Sequence, residues 1–231
     1  MSAALARTLA AQARDLYARG LTTSTGGNLS HRAGDGFLVS GTNTAFARQV
    51  PEDFARCDAQ GAGVSGPAPS KEAAFHAAVY RARPGVQAVL HLHAAASLTL
   101  SCLARPDERG NVLPVHSSYA VTRVGRVPLL PYDPPGSAAL ARAVERHCPD
   151  VNALLLQNHG VITWGRSLDE ARDILEELEQ NVGVWLASRG QARVLSDEEL
   201  QAANARAGHG APVQAGTQRP QLLAHVQGWS A

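Results

Sequence analysis

The fold is decided by the stretch Val86-Gln87-Ala88-Val89-Leu90-His91-Leu92-His93. This stretch is apolar and partly β-branched, and it follows the turn-forming pair Pro84-Gly85, so it predicts a buried β-strand. Side chains alternate between the two faces of a strand, and His91 and His93 are two positions apart. We therefore expect both imidazoles to lie on the same face of this strand.

Two imidazoles on one strand face can share a single metal ion. The distant turn Asn158-His159-Gly160 offers a third histidine. Three protein ligands that leave positions open for water or substrate are typical of catalytic zinc. The alternative for a His-x-His pair taken alone is two ordinary core or surface histidines on an edge strand, so the choice depends on the rest of the chain.

Length and composition describe an ordinary globular protein. The 231 residues are 45% apolar and 18% charged, with a formal net charge of +1. This balance gives no general electrostatic reason to expect a nucleic acid or an anionic membrane as partner, and no apolar run is long enough to span a bilayer. Three scattered cysteines and an N-terminus without a signal-peptide pattern predict a cytoplasmic protein with reduced thiols.

Strand and helix patterns are interspersed over residues 1–190, which predicts a single mixed α/β domain. The predicted strands cover residues 29–32, 36–40, 86–93, 127–130, 153–157 and 161–164. The predicted helices run from Leu5 to a cap at Gly20, from Ala73 to Arg81, from the cap Ser137 toward Cys148, and from Leu168 to Gly190. Residues 191–231 are expected to form a partly mobile tail, because much of this segment is rich in Ala, Gly, Gln and Pro.

The helix after residue 72 begins in a polar segment. Ser70 is a predicted N-cap, and Glu72 falls in the first turn, where a carboxylate gains a little from the helix dipole whether or not it has a further role. Free amides at a helix start bind anions, and Lys71 adds a positive charge. The polar loops 26–28 and 40–43 could cradle a phosphate together with this segment, although each loop alone is ordinary turn sequence.

Several other side chains have a plain structural interpretation. His76 lies one helical turn after Glu72 and is expected to pack or to donate a supporting hydrogen bond. Tyr119 is expected to be a half-buried structural tyrosine on this reasoning alone. The histidines without a partner pattern are expected at the surface: His31, His147, His209 and His225.

Taken together, the motifs resemble one known family. The chain carries, in the order of the class II aldolase/adducin family, Gly27-Asn28-Leu29-Ser30, Pro69-Ser70-Lys71-Glu72, His91-Leu92-His93, Pro131-Tyr132 and Asn158-His159-Gly160. The resemblance covers residues 5–188. It implies a three-layer α/β/α domain around a central, mainly antiparallel sheet, assembled as a homotetramer with the active site at a subunit interface.

The resemblance also implies roles for individual residues. His91, His93 and His159 fall at the zinc-ligand positions, although Mn²⁺ or another divalent metal is also possible. Glu72 falls at the acid/base, and Tyr119 at a proton-donating tyrosine that the neighbouring subunit supplies. The phosphate-binding positions of the family are occupied by Asn28, Thr42, Asn43, Ser70 and Lys71.

Two departures from the aldolases favour one branch of the family. The aldolases usually have Ser at the position of Lys71 and Gly at the position of Asn43. In addition, residues 119–132 and 69–72 are more similar to the branch that decarboxylates 3-oxo-tetronate 4-phosphates. Lys71, Arg123 and Arg126 are candidates for holding the carboxylate of such a substrate.

The resemblance therefore implies a metal-dependent lyase that forms dihydroxyacetone phosphate and CO₂ through a metal-stabilised enediolate. One alternative is a sugar-phosphate aldolase of the fuculose or rhamnulose 1-phosphate type, or a pentulose-phosphate epimerase, with the same metal site. Another is a non-catalytic adducin-like module, which would have no need for three ligands and a base.

Overall fold

The computed structural model describes residues 2–208 and 211–224 of the chain. His209 and His225, both expected at the surface, lie outside the described residues, as does the rest of the predicted tail from 225 onward. Within the described ranges, no helix is both long and apolar enough to cross a membrane.

The described part of the chain contains six α-helices and eight β-strands. In chain order they are α1 (Ser2–Ala18), β1 (Gly27–Ala33), β2 (Gly36–Ser40), β3 (Phe54–Cys57), β4 (Gly63–Ser65), α2 (Ala73–Ala82), β5 (Ala88–Leu92), α3 (Ala95–Leu103), β6 (Leu129–Leu130), α4 (Ala138–His147), β7 (Ala153–Leu156), β8 (Gly160–Gly165), α5 (Leu168–Ala187) and α6 (Asp197–Asn204). Every predicted helix and strand has a counterpart among them.

The strands belong to one sheet with the order β4-β3-β2-β1-β5-β8-β7-β6. The pairs β1–β2, β1–β5, β2–β3, β3–β4 and β7–β8 are antiparallel, and β6–β7 is parallel. The predicted mainly antiparallel sheet is therefore confirmed.

By internal contacts the chain forms two compact units. The first comprises Met1–Ala94, Asp133–Pro149 and Trp164–Ala171. In it, β1 pairs with β2 on one side and with β5 on the other, and every residue of β2 and β5 is buried. Its helix α1 buries Leu9, Ala13 and Leu16, three of the positions whose helical spacing predicted this helix.

The second unit comprises Ala95–Tyr132, Asp150–Thr163 and Arg172–Ala231. Strand β7 is buried throughout, and the part of α5 in this unit buries Leu175, Leu178, Val182 and Trp185, the apolar face that its periodicity predicted. Helix α3 had no predicted counterpart, because its N-terminus is capped by a remote carboxylate: Glu179 accepts hydrogen bonds from the backbone N–H groups of Ala96 and Ser97.

Strand β6 is shorter than the predicted strand 127–130. The backbone N–H of Val127 donates to the side chain of Asn111, and Pro128 has no N–H to donate to a ladder. The ladder with β7 therefore begins at Leu129, which pairs with Leu155.

The segment predicted as a tail contains α6 within its described residues. Ser196 caps this helix and accepts from the backbone N–H of Glu199 at 3.2 Å, while the Glu199 carboxylate accepts from the backbone of Ser196. Further along, Leu223 donates from its backbone to Leu103. The division of the chain at residue 190 stays a prediction.

Candidate active site

The two histidines of the His-x-His pair lie at the end of β5. The ring centroids of His91 and His93 are 5.1 Å apart with an interplanar angle of 72°. His91 is fully buried and lies directly opposite Asn28 in the β1–β5 ladder. The adjacent pair places Gly27, with φ of +105°, against the backbone of His91, where a Cβ would clash with the His91 carbonyl oxygen. The Gly27-Asn28 motif therefore brings β1 close to the histidine strand.

Glu72 occupies the N-cap position of α2, with φ of −98° and ψ of 5°. Its side chain is only 5% exposed. Oε2 accepts a 2.8 Å hydrogen bond from Nδ2 of Asn28 and lies 3.5 Å from Nε2 of His91. The carboxylate is thus held beside the histidine strand, in a setting where water screens its charge poorly.

The predicted N-cap assignment of Ser70 was wrong by two residues. Ser70 lies before the N-cap, and its Oγ accepts from the backbone N–H of Glu72 at 3.2 Å. Its hydroxyl therefore supports the residue at the helix start instead of capping the helix interior.

His159 lies in the tight turn between β7 and β8. Asn158 has a φ of +54° and Gly160 a φ of +150°, and the backbone N–H of His159 donates to Leu156 at 3.1 Å. Asparagine and glycine are the residues that adopt positive φ most readily, which explains the Asn-His-Gly sequence of the turn. The imidazole of His159 is buried.

Three imidazoles meet the requirements of a metal centre. His91, His93 and His159 each offer one ring nitrogen, and these nitrogens lie within 4.8 Å of one another. Nitrogens bound to one tetrahedral zinc at about 2.0–2.1 Å lie roughly 3.3 Å apart, so ring nitrogens within 4.8 Å of one another are compatible with one shared ion. Three neutral imidazoles also suit zinc chemically, and the residues present therefore fit a divalent ion.

The predicted phosphate positions fall largely on two adjacent loops of the first unit. Gly41 forms a β-bridge with Pro69, the backbone N–H of Thr42 donates to Ala68, and that of Ser70 donates to Ser40. This pairing sets Thr42 and Asn43 on one loop beside Ser70 and Lys71 on the other. The side chains of Thr42, Asn43 and Lys71 are exposed, whereas Ser70 is buried.

Asn43, which stands where the aldolases usually have glycine, has a backbone conformation that both residues tolerate. Its φ is +58°, in the left-handed region that glycine and asparagine tolerate. Asn28 differs from the other predicted phosphate residues, because its amide is already engaged: Nδ2 donates to Glu72, and Oδ1 lies 2.5 Å from Nε2 of His76.

Tyr119 is 55% exposed and immediately precedes a π-helical turn at Ala120–Val124. The expectation of a half-buried tyrosine was therefore wrong. The guanidinium of Arg123 lies 5.3 Å from the Tyr119 ring centroid and donates to Asp173 at 2.9 Å. Arg126 donates to the backbone oxygen of Arg109 at 2.8 Å. Both arginines, predicted as carboxylate-binding candidates, thus have partners within the second unit.

Ser30 and Tyr80, which connect to Glu72 through His76 and Asn28, were missed from the sequence. Ser30 bonds Nδ1 of His76 at 2.7 Å and the hydroxyl of Tyr80 at 2.8 Å, and all three side chains are buried. His76 makes the supporting hydrogen bonds that were expected of it. The available signal was the spacing of Glu72, His76 and Tyr80 at four-residue intervals, which places three polar side chains on one face of an otherwise apolar helix.

Comparison with known proteins shows the family to which the chain is similar. The model of the Class II Aldolase and Adducin N-terminal domain matches residues 7–186. The 3-oxo-tetronate 4-phosphate decarboxylase of Haemophilus influenzae is 38% identical over 189 residues, which are 81% of this chain and 90% of that protein. The L-fuculose phosphate aldolase of the same organism is 34% identical over 186 residues, covering 79% and 83% of the two chains.

The crystal structure of YgbL from Escherichia coli superposes with a TM-score of 0.83 and 34% identity, covering 88% of this chain and 99% of that one. The two enzyme names, decarboxylase and aldolase, both denote lyases, which confirms the predicted enzyme class. The chain therefore belongs to the class II aldolase and adducin N-terminal domain family.

Proposed function

We propose that the chain decarboxylates a 3-oxo-tetronate 4-phosphate, giving dihydroxyacetone phosphate and CO₂. The proposal is supported by a relative of that name, which the chain matches at 38% identity over 90% of the relative's length. The observation that carries the mechanism is the position of Glu72, whose Oε2 lies 3.5 Å from His91 and accepts from Asn28 at 2.8 Å.

The reaction needs one proton delivered to carbon. When the bond between C1 and C2 breaks, the electron pair stays on C2 and CO₂ leaves from C1. C2 must then receive a proton to give the hydroxymethyl group of dihydroxyacetone phosphate. Glu72 is the proposed proton carrier: its carboxyl group takes up a proton from solvent, delivers it to C2, and is left as the carboxylate.

His91, His93 and His159 are the proposed ligands of a divalent ion, with zinc favoured by the imidazole set and manganese an alternative. Such an ion, when bound, supplies Lewis-acid stabilisation of the negative charge that develops on the substrate oxygens. Glu72, which lies beside His91, is proposed to donate its proton to the substrate carbon next to those oxygens.

The two adjacent loops are the proposed phosphate site. Thr42, Asn43 and Ser70 offer polar groups there, and Lys71 is a cation that can hold the phosphate or the substrate carboxylate. Asn28 also occupies a predicted phosphate-binding position, but its side-chain amide is bonded to Glu72 and His76. The group that it can still offer to the phosphate is the second N–H of its side-chain amide.

Tyr119 is proposed to act as a proton donor in the site of a neighbouring subunit. Its ring is exposed and contacts the guanidinium of Arg123, as expected of a side chain that reaches across an interface. With this assignment we propose a homotetramer, working in the cytoplasm on a phosphorylated sugar acid.

The second candidate function is aldol cleavage of a sugar 1-phosphate. The observation that favours it is the 34% identity with an L-fuculose phosphate aldolase. Cleavage of a carbon–carbon bond next to a ketone again leaves a carbanion equivalent that needs a proton, so Glu72 and the histidines would serve either reaction. A pentulose-phosphate epimerase would use the same groups.

The test is to incubate the metal-loaded protein separately with a 3-oxo-tetronate 4-phosphate and with fuculose 1-phosphate. The proposal predicts CO₂ and dihydroxyacetone phosphate in equal amounts from the first substrate and slow or absent cleavage of the second. Release of dihydroxyacetone phosphate and an aldehyde from fuculose 1-phosphate, without CO₂ release from the sugar acid, would assign the chain to the aldolases instead.

A further inference from the structure

Five buried polar side chains form a hydrogen-bonded file that ends at the Glu72 carboxylate. Asn28 Nδ2 lies 2.8 Å from Glu72 Oε2, and Asn28 Oδ1 lies 2.5 Å from His76 Nε2. Nδ1 of His76 lies 2.7 Å from Ser30 Oγ, which lies 2.8 Å from the hydroxyl of Tyr80. All five side chains belong to the first unit, and none is more than 5% exposed.

The order of the side chains in this file follows from the periodicities of β1 and α2. Asn28 and Ser30 are two residues apart on β1 and share one face of that strand. Glu72, His76 and Tyr80 are spaced by four residues and share one face of α2. Two elements that pack with these faces together therefore interleave the five polar groups in a single file.

The hydrogens along this file have one consistent direction when Glu72 is ionised. A carboxylate only accepts, so Asn28 must present its N–H to Glu72 and its oxygen to His76. His76 must then carry its hydrogen on Nε2, which leaves Nδ1 to accept from Ser30. With its own hydrogen committed to His76, Ser30 Oγ accepts from Tyr80.

Burial keeps the two ring groups in the states that this direction requires. Desolvation lowers the pKa of His76 to about 3, so the imidazole is neutral near pH 7 and carries a single N–H. Burial also raises the pKa of Tyr80, so the phenol keeps its proton. Near pH 7, therefore, neither His76 nor Tyr80 carries a charge.

We propose that Tyr80, Ser30 and His76 are positioning residues that lock the Asn28 amide with its N–H toward Glu72, and thereby hold Oε2 of the carboxyl group in the orientation from which Glu72 transfers its proton. The proposal deepens the proposed function, because it assumes that Glu72 handles the proton. Without His76 the amide could rotate and turn its oxygen toward the carboxylate, where two acceptors would repel each other.

One competing arrangement reverses the whole file. The hydroxyl of Tyr80 also lies 3.5 Å from the backbone oxygen of Gln87, so it has a second, longer acceptor. If Tyr80 donated there, Ser30 could donate to Tyr80, His76 could carry its hydrogen on Nδ1, and the Asn28 amide would be flipped. The tautomer of His76 therefore distinguishes the two directions.

The first measurement reads that tautomer directly in the wild-type protein loaded with Zn²⁺. Nitrogen NMR with ¹⁵N-labelled histidine separates protonated from bare ring nitrogens, and a His76→Gln sample assigns the signal. We expect hydrogen on Nε2 and a bare Nδ1 at neutral pH. Hydrogen on Nδ1, or a doubly protonated ring, would overturn the proposal. The measurement needs no substrate, so it stands even if the proposed reaction is not observed.

The second measurement compares turnover and substrate affinity in variants with equal metal content. Tyr80→Phe removes only the terminal hydroxyl, and Ser30→Ala breaks the file in the middle. Each should lower kcat about tenfold, the equivalent of one lost hydrogen bond, and change KM less than about twofold. His76→Phe should cost more, and His76→Gln, which retains an N–H for Asn28, should recover much of the loss.

The matched control is Ser101→Ala, which removes a buried hydroxyl whose partner among the described residues is the backbone oxygen of Leu98. Its kcat should equal that of the wild type. Values for Tyr80→Phe and Ser30→Ala that match the control, or a rise in KM at unchanged kcat, would overturn the positioning role. Absence of CO₂ release and of aldol cleavage in the wild type would instead count against the proposed function.

Discussion

The backbone of Gly27 lies directly against the carbonyl oxygen of His91. A Cβ at residue 27 would clash with that oxygen, and the φ of +105° at Gly27 is one that other residues rarely adopt. This contact lets β1 approach the histidine strand closely enough for Asn28, the next residue, to lie opposite His91.

Gly27→Ala should therefore destabilise the protein by at least roughly 2 kcal/mol, from backbone strain and the clash together. Urea unfolding measures the change. Gly85→Ala is the control, because among the described residues no atom beyond its chain neighbours lies within 4 Å of a Cβ there, and its φ is not in the left-handed region. Equal stability of the two variants would show that the backbone of Gly27 does not lie against the carbonyl oxygen of His91.

Much of this region can be predicted from local sequence. The strand that carries His91 and His93 is apolar and bounded by Pro84-Gly85, so its pattern is unambiguous, and it is observed as β5. The turn at His159 is marked by Asn158 and Gly160, which supply the positive φ values.

The missed parts depend on partners that are distant in sequence. Ser30 and Tyr80 become members of one hydrogen-bonded file only when β1 and α2 are known to pack together. Helix α3 is capped by Glu179, more than eighty residues away, so the local sequence contains no capping residue that predicts where the helix begins. The exposure of Tyr119 likewise could not be predicted, because it depends on tertiary packing.

The proposed metal centre predicts how much divalent metal the histidine variants bind. His91→Ala and His159→Ala should each lose most of the bound divalent metal and keep the fold, because two imidazoles form a weak site for zinc. Elemental analysis gives the metal content, and circular dichroism checks the fold. His147→Ala, on helix α4, should retain full metal. Full occupancy in both ligand variants would remove the three-histidine assignment.

Sharing of the site between subunits can be tested by mixing two inactive variants. If one subunit supplies Glu72 and its neighbour supplies Tyr119, co-assembly of Glu72→Gln with Tyr119→Phe restores intact sites. Random mixing in a symmetric oligomer should return about one quarter of wild-type activity. If both residues served the same subunit's site, no mixed assembly would regain activity. Light scattering should independently give a mass well above 24.3 kDa.

His76 should make the protein sensitive to acid. Burial lowers its folded-state pKa from 6.5 to about 3, so below pH 6.5 protons bind the unfolded chain in preference to the folded one. The contribution of the neutral imidazole to stability is therefore present above pH 6.5 and is lost progressively as the pH falls toward 3. Urea unfolding at pH 7.5 and pH 5 should show a smaller loss for His76→Gln than for the wild type, with His147→Gln resembling the wild type.

The central claim is that Glu72 transfers a proton, and Glu72→Gln tests it most directly. The amide keeps the size of the side chain, so metal content and substrate affinity should stay close to wild type. Turnover should fall by about 10²–10⁴-fold, the usual contribution of a positioned acid or base. Glu145→Gln, which removes an exposed carboxylate paired with Arg81, should leave turnover unchanged.

The decisive measurement is CO₂ release and metal content on the same Glu72→Gln preparation. The account predicts a metal-loaded, folded and nearly inactive protein. If Glu72 were only a charge at the start of α2, the change would cost roughly a few tenths of a kcal/mol in stability and leave turnover intact. Near-wild-type turnover in metal-loaded Glu72→Gln would therefore contradict the account.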